Sequence, residues 1–331
     1  MTPPALGVEF DDPELEASVR ADLLTIESAL RAAVHSDDEF VNGAASHLVS
    51  AGGKRFRPLV STLAAHFGDS RRIELVPAAV VVELTHLATL YHDDVMDEAP
   101  VRRGASSANA RWDNTVAILT GDFLFSRAST LLADLGAYAV RLQARTFERL
   151  VIGQIRETVG PKDGADPIEH YLAVLADKTG SLIATAAEFG GHFAGVDEGT
   201  IVSLREYGEQ IGVAFQLSDD ILDIASDSAE SGKTPGTDLR EGVATLPVLY
   251  ALRSNDRAGK RLRELVDHPI GEDAELDEAL VLLRASSALD EAREALRGYA
   301  ETAREALVSL PDVPARRALH TLTDLVIDRS G

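Results

Sequence analysis

The sequence predicts an all-α fold, on three observations. Apolar residues recur three and four apart, as at Leu15, Val19, Leu23, Ile26, Leu30 and Val34, which is the spacing of one helix face. The run from Val76 to Tyr91 is apolar, with Pro77 near its start and no Gly or Pro afterwards, so it reads as a buried helix. No segment reads as a credible strand. The expected architecture is one domain over 1–331, a helical bundle around a central cavity, with 1–11 flexible. Hydrophobic residues make up 45% of the chain, enough for a large core. No linker, low-complexity tract or solenoid-period repeat divides it.

Each element has a local cause. Asp12-Pro13 supplies an N-cap and first turn for the opening helix. Asp37 and Asp38 can cap a second, ending at Gly52-Gly53. Pro58 opens a third, ending near Phe67-Gly68, and the apolar helix follows as far as Asp97. Asn114 can cap a helix from Val116 to about Leu135, where Gly136 stops it. Another runs from Tyr138 to Thr158. After a loop, Asp166-Pro167 restarts the chain. The helix from Ile168 carries Lys178-Thr179-Gly180 in its middle, and the glycine predicts a kink. Asp197 can cap a helix reaching Asp223. The polar stretch 226–237 reads as a mobile loop, and Thr245-Leu246-Pro247 restarts the chain again. Short helices separated by Asn255, Pro269-Ile270-Gly271 and Leu310-Pro311 complete it, with no legible chemistry.

Two apolar helices end in the same acidic pattern, Asp93-Asp94-Val95-Met96-Asp97 and Asp219-Asp220-Ile221-Leu222-Asp223. Residues i and i+4 share a helix face, so each pattern puts two carboxylates side by side with a third next to them. Acid at a helix C-terminus opposes the macrodipole. A single copy is most simply a solvated helix end; the same unfavourable placement made twice points to function. Hard oxygen donors of this kind suit Mg²⁺. Arg102 and Arg103 follow the first pattern, where Pro100 and Gly104 turn the chain.

A net charge of −22 argues against nucleic acid and against electrostatic attachment to anionic lipid. Cysteine is absent, which excludes disulfides and thiolate metal sites. The N-terminus has no basic and apolar leader. No uninterrupted apolar run is expected to span a membrane, and the expected location is the cytoplasm. Of the five lysines, Lys54, Lys178 and Lys233 fall inside motif-like blocks, where a compact positive charge suits a phosphate oxygen. Lys162 and Lys260 read as surface residues.

Together these blocks resemble the all-trans isoprenyl diphosphate synthases, the polyprenyl synthetase family. The resemblance rests on the two aspartate patterns, Gly52-Gly53-Lys54-Arg55-Phe56-Arg57-Pro58, Lys178-Thr179-Gly180, and Gly232-Lys233 through Asp238-Leu239-Arg240-Glu241-Gly242 with Thr245-Leu246-Pro247. It runs in order from about Leu15 to the C-terminus. It implies a prenyltransferase joining an allylic diphosphate to isopentenyl diphosphate. In that reading Asp93, Asp94 and Asp97 ligate Mg²⁺ from one wall and Asp219, Asp220 and Asp223 from the other. Arg102, Lys178 and Lys233 hold the allylic diphosphate. Lys54, Arg57, His86 and Arg103 hold isopentenyl diphosphate, while His92 stays structural. Thr179, Phe215 and Gln216 stabilise or shape the cationic site. No side-chain base stands out, in keeping with a family in which the departing diphosphate takes the proton. Val243 departs from the pattern, standing where long-chain members often carry lysine. The resemblance also implies a homodimer.

The resemblance further implies that the product grows beside the helix ending at Asp93. At about 1.5 Å per residue, Ala88, Thr85 and Val81 lie ~7.5, ~12 and ~18 Å from that aspartate. None is bulky, so a product above twenty carbons, such as a quinone side chain, is expected. Geranylgeranyl diphosphate is the alternative. A non-catalytic subunit of a heterodimeric synthase is the alternative of another class. Such subunits commonly lose aspartates or basic residues, and both clusters are intact here. A terpene cyclase would need no second diphosphate block such as Gly52–Pro58.

Overall fold

The structure, a computed structural model, describes residues 10–226 and 235–329. Helices dominate it. They are α1 (Pro13–Ala33), α2 (Glu39–Ser50), α3 (Phe56–Ala65), α4 (Leu75–Met96), α5 (Ala108–Arg111), α6 (Asn114–Leu135), α7 (Ala137–Val159), α8 (Pro167–Leu175), α9 (Ser181–Ala194) and α10 (Glu198–Ala225). Shorter ones follow: α11 (Thr237–Glu241), α12 (Leu246–Leu252), α13 (Arg257–Leu265) and α14 (Asp273–Arg284), before α15 (Ala288–Leu307) and α16 (Pro314–Asp328). The all-α expectation holds.

The chain groups into two compact units. One takes the described residues up to Glu148 with Leu182–Gly208 and Ala306–Thr321; the other takes Arg149–Ser181, Glu209–Glu305 and the described end from Leu322. In the first, α4 is the core helix. Leu84, Leu87, Ala88 and Tyr91 are fully buried beside Leu30 of α1, Leu48 of α2 and Leu124 of α6. The phenol of Tyr91 donates to Ala44 O at 2.6 Å, so even its polar end is satisfied inside. α6 approaches α4 closely at Gly121, where a side chain would strike the His92 ring. His92 Nε2 lies 3.1 Å from Ile118 O.

Asp12, Asp38, Asp166 and Asp197 bond the backbone N–H groups at their helix starts, as their positions predict. Several expectations need correction. α3 begins at Phe56, two residues before Pro58, because Arg55 takes the left-handed conformation that turns the chain into the helix. The cap of α6 is Asp113, whose side chain accepts from Val116 N, so Asn114 is already helical. The short α5 went unread. So did one hairpin: Val101 and Arg102 pair antiparallel with Ser106 and Ala105. Its two-residue turn, Arg103-Gly104, has positive φ at both positions, 54° and 75°, as the favoured tight hairpin turns require. Strands two residues long carry no periodicity to read.

α4 and α6 are each 22 residues long and apolar enough to cross a membrane. Two-thirds of the relevant stretch of α4 is buried within the protein, which makes it a core helix; for α6 the share is one-third.

Candidate active site

The first aspartate cluster closes α4. Asp97 N donates to Asp93 O at 2.8 Å, and Glu98, with φ of 49°, ends the helix. The hairpin then returns the chain. Asp94 faces inward, fully buried, and Arg102 Nε donates to its Oδ1 at 2.6 Å. Arg102 also lies 3.8 Å from Asp97 Oδ2. Burial raises the Asp94 pKa while the Arg102 guanidinium pulls it down. Asp94 Oδ2 has no hydrogen-bond partner among the described residues. Asp93 is half-buried and Asp97 exposed.

A cationic corner lies in the same unit. Gly52 and Gly53 have φ of 90° and 154°, and a Cβ on Gly53 would sit 3.0 Å from the Arg103 guanidinium. Arg103 Nη1 donates to Leu48 O at 3.1 Å and also to Gly52 O, closing the end of α2. Arg55 was no candidate, yet it anchors the loop. Its guanidinium donates to Glu83 Oε1 at 2.9 Å and to Glu27 Oε2 at 2.8 Å, all but Glu27 being buried. On either side of it, Lys54 is exposed and Arg57 half-buried. Burial lowers the Arg57 pKa to about 10, which leaves it charged at neutral pH, and its Nε has no partner among the described residues. Removal from water, reinforced by Arg57 and Arg103, holds the His86 pKa well below the usual histidine range, so its ring is neutral.

The second unit carries the other cluster on α10. Tyr171 of α8 donates to Asp220 Oδ2, and Gln216 Nε2 donates to Oδ1 at 3.0 Å. Asp220 is buried, and burial pushes its pKa up to about 7 despite these bonds. Gln216 Oε1 accepts from Thr179 at 3.4 Å. Thr179 sits in a π-helical turn, Ala176–Gly180, between α8 and α9. The expected kink is thus one inserted residue's worth of widened helix, a form common at functional sites. Lys178, in the same turn, pairs with Glu157. Asp223 accepts from Thr237 N and Asp238 N, each at 3.1 Å, and so begins α11.

Asp219 pairs with Arg329, whose guanidinium lies 5.0 Å from the Phe215 ring centroid. Neither Tyr171 nor Arg329 was legible: each partner lies dozens of residues away, and no spacing marks it. Lys233 lies outside the described residues. Val81, Thr85 and Ala88 are all fully buried on α4.

Among the described residues no three Asp, Glu or His side chains converge to form a ready-made cage. The donors are carboxylates, and one buried oxygen, Asp94 Oδ2, is orphaned. That donor set suits a hard divalent cation.

The family model for polyprenyl synthetase matches residues 38–283. The chain belongs to the polyprenyl synthetase family. This member is 51% identical over 326 residues to nonaprenyl diphosphate synthase of Mycobacterium tuberculosis, covering 98% of this chain and 97% of that protein. The crystal structure of geranylgeranyl pyrophosphate synthase from Corynebacterium glutamicum, complexed with calcium and isoprenyl diphosphate, superposes with a TM-score of 0.87 at 47% identity, covering 98% and 100% of the two chains. Polyprenyl synthase from Caulobacter crescentus, complexed with the same two ligands, gives 0.89 at 34% identity, covering 96% and 97%. The synthetase described here is a prenyltransferase with the all-α fold of these enzymes.

Proposed function

We propose that the protein extends an allylic diphosphate with isopentenyl diphosphate and releases a long-chain polyprenyl diphosphate, the precursor of a quinone side chain. The observation that carries this reading is the cationic corner. Arg55, Arg57 and Arg103 gather near one buried carboxylate, Glu83, a surplus of positive charge that a metal-binding bundle would not need. Arg57 and Arg103, with Lys54 and neutral His86 as hydrogen-bond partners, hold isopentenyl diphosphate.

Arg102, Lys178 and Lys233 hold the allylic diphosphate. Asp93, Asp94 and Asp97 of the first cluster and Asp219, Asp220 and Asp223 of the second would hold Mg²⁺, Asp94 through the oxygen that Arg102 leaves unpartnered. Bound Mg²⁺ would neutralise the leaving diphosphate and lower the cost of ionisation. Phe215 offers its π face to the allylic cation, and the Thr179–Gln216–Asp220–Tyr171 chain keeps the neighbouring carbonyl and hydroxyl dipoles fixed. With no side-chain base assigned, the departing diphosphate takes the proton.

Two relatives support different lengths, a nonaprenyl product at 51% identity and a geranylgeranyl product at 47%. The small side chains at Ala88, Thr85 and Val81 favour the longer one. Geranylgeranyl diphosphate is the second reading. Incubation with isopentenyl diphosphate and geranyl, farnesyl or geranylgeranyl primers, followed by mass analysis, decides between them. A product stopping at twenty carbons from every primer overturns the long-chain reading.

We also propose a cytoplasmic homodimer, one domain per chain. α7 leaves Val140, Phe147, Val151 and Ile155 exposed, at spacings of seven and four along one stripe of the helix.

A further inference from the structure

Inside the first unit, α4 and α7 are joined by a hydrogen bond that stability alone does not call for. Thr85 is fully buried, and its single hydroxyl proton is spent on Val81 O at 2.9 Å. The hydroxyl therefore accepts, and Gln143 Nε2 donates to it at 2.8 Å. This fixes the orientation of the amide. Gln143 is 6% exposed, and its Oε1 has no partner among the described residues. One turn further along α7, Thr146 shares a bond of 2.6 Å with Thr185 of α9, both buried. These are polar rungs between helices that also bury apolar side chains, Val81, Leu84, Leu87 and Ala88 on α4 and Leu182 on α9.

A half-satisfied amide is a poor choice for a core, since a buried acceptor without a partner costs more than an apolar group of the same shape. Leucine or methionine would fill the position without that penalty. The position makes sense if the interior has to admit a hydrocarbon. In the proposed reading, a tail whose diphosphate sits at Asp93 and Asp97 runs beside the apolar body of α4, and Thr85 lies ~12 Å back along that helix. To grow past this point the tail must part the Gln143–Thr85 bond and strand both groups against methylenes.

We propose that the Gln143–Thr85 bond is a polar gate in the first unit that the growing tail opens on its way to a long-chain product, so that it tunes how far growth proceeds by unpaired polar groups rather than by bulk. The gate rests on the reading of α4 as the wall beside which the product grows. Gln143 is a specificity-determining residue that takes no part in the chemistry.

The test is the product ladder from farnesyl diphosphate and isopentenyl diphosphate, resolved by mass, for the wild type, Gln143→Leu, Gln143→Met and Thr85→Ser. Both apolar variants are expected to shift the distribution upward by at least one isoprene unit and to lose any build-up of intermediates at the wild-type pausing length. Thr85→Ser keeps the hydroxyl and is expected to keep the wild-type ladder. Using two apolar side chains of different shape protects against a variant that fails to fold. A ladder unchanged or shortened in an apolar variant that still turns over overturns the gate alone. A wild type that consumes neither substrate overturns the prenyl-transfer reading, and the gate with it.

Discussion

Arg102 Nε donates to Asp94 Oδ1 at 2.6 Å, so the middle aspartate of the first cluster directs its charge into the protein. Its two neighbours, Asp93 and Asp97, remain on the accessible side. Removing one partner of a buried pair leaves the other uncompensated, which costs on the order of 3 kcal/mol. Arg102→Ala is therefore expected to lower unfolding free energy by about that amount in urea titration. A loss under about 0.5 kcal/mol, the scale of an exposed pair, would mean that the bridge holds nothing in place.

Asp93 and Asp219 are expected to matter through the charge they gather. Replacing either with alanine should lower kcat by about 10²–10³, the scale of losing one preorganised electrostatic contact. The same variants should lose the rise in melting temperature that Mg²⁺ with pyrophosphate gives the wild type. That rise corresponds to about 2.7 kcal/mol at a hundredfold excess over Kd. Near-normal turnover in Asp219→Ala would reduce the second cluster to an ordinary helix end.

His86 predicts a pH dependence. Its folded-state pKa lies below the unfolded value, so on acidification the unfolded chain takes up the proton first. The stability it contributes is present above about pH 6.5 and is lost as pH falls below it, by up to about 1.4 kcal/mol per unit. Wild type and His86→Gln should therefore converge in stability between pH 7.5 and 5.5. Parallel curves would show a ring that titrates normally.

The stripe on α7 predicts assembly through that helix. Phe147→Glu together with Ile155→Glu is expected to give the monomer mass in light scattering at micromolar concentration, where the wild type gives twice that. A wild-type monomer would rule out the dimer.

Ala88→Phe should shorten the product, because a phenyl ring would stand in the path proposed for the tail, about one and a half turns from Asp93. Unchanged products with activity intact would place the tail elsewhere.

Much of this architecture could be read from the chain because its signals are local. The aspartate caps at positions 12, 38, 166 and 197 each act on N–H groups within three residues. Gly180 marked the distortion that became a π turn. What escaped is long-range. Arg55 matters because Glu27 and Glu83 arrive from two other helices. Tyr171 and Arg329 matter because α10 lies beside them, 49 and 110 residues away in sequence. Membership of the aspartate motifs was legible, but the division of labour within them was not. Asp94, Asp219, Asp220 and Asp223 each take partners that only the fold brings to them.

The hairpin at 101–106 acts as a distributor. Arg102 lies on its strand and reaches Asp94, whereas Arg103 occupies its turn and reaches the carbonyls of Leu48 and Gly52. Two consecutive guanidiniums thus meet two different neighbourhoods, a buried carboxylate and the carbonyls that end α2, and backbone pairing decides which goes where. Inserting one uncharged residue here would conserve charge yet shift the two addresses, because each step along a strand reverses the face a side chain meets. The spacing between Asp97 and Arg102 is therefore as much a part of this arrangement as the residues themselves.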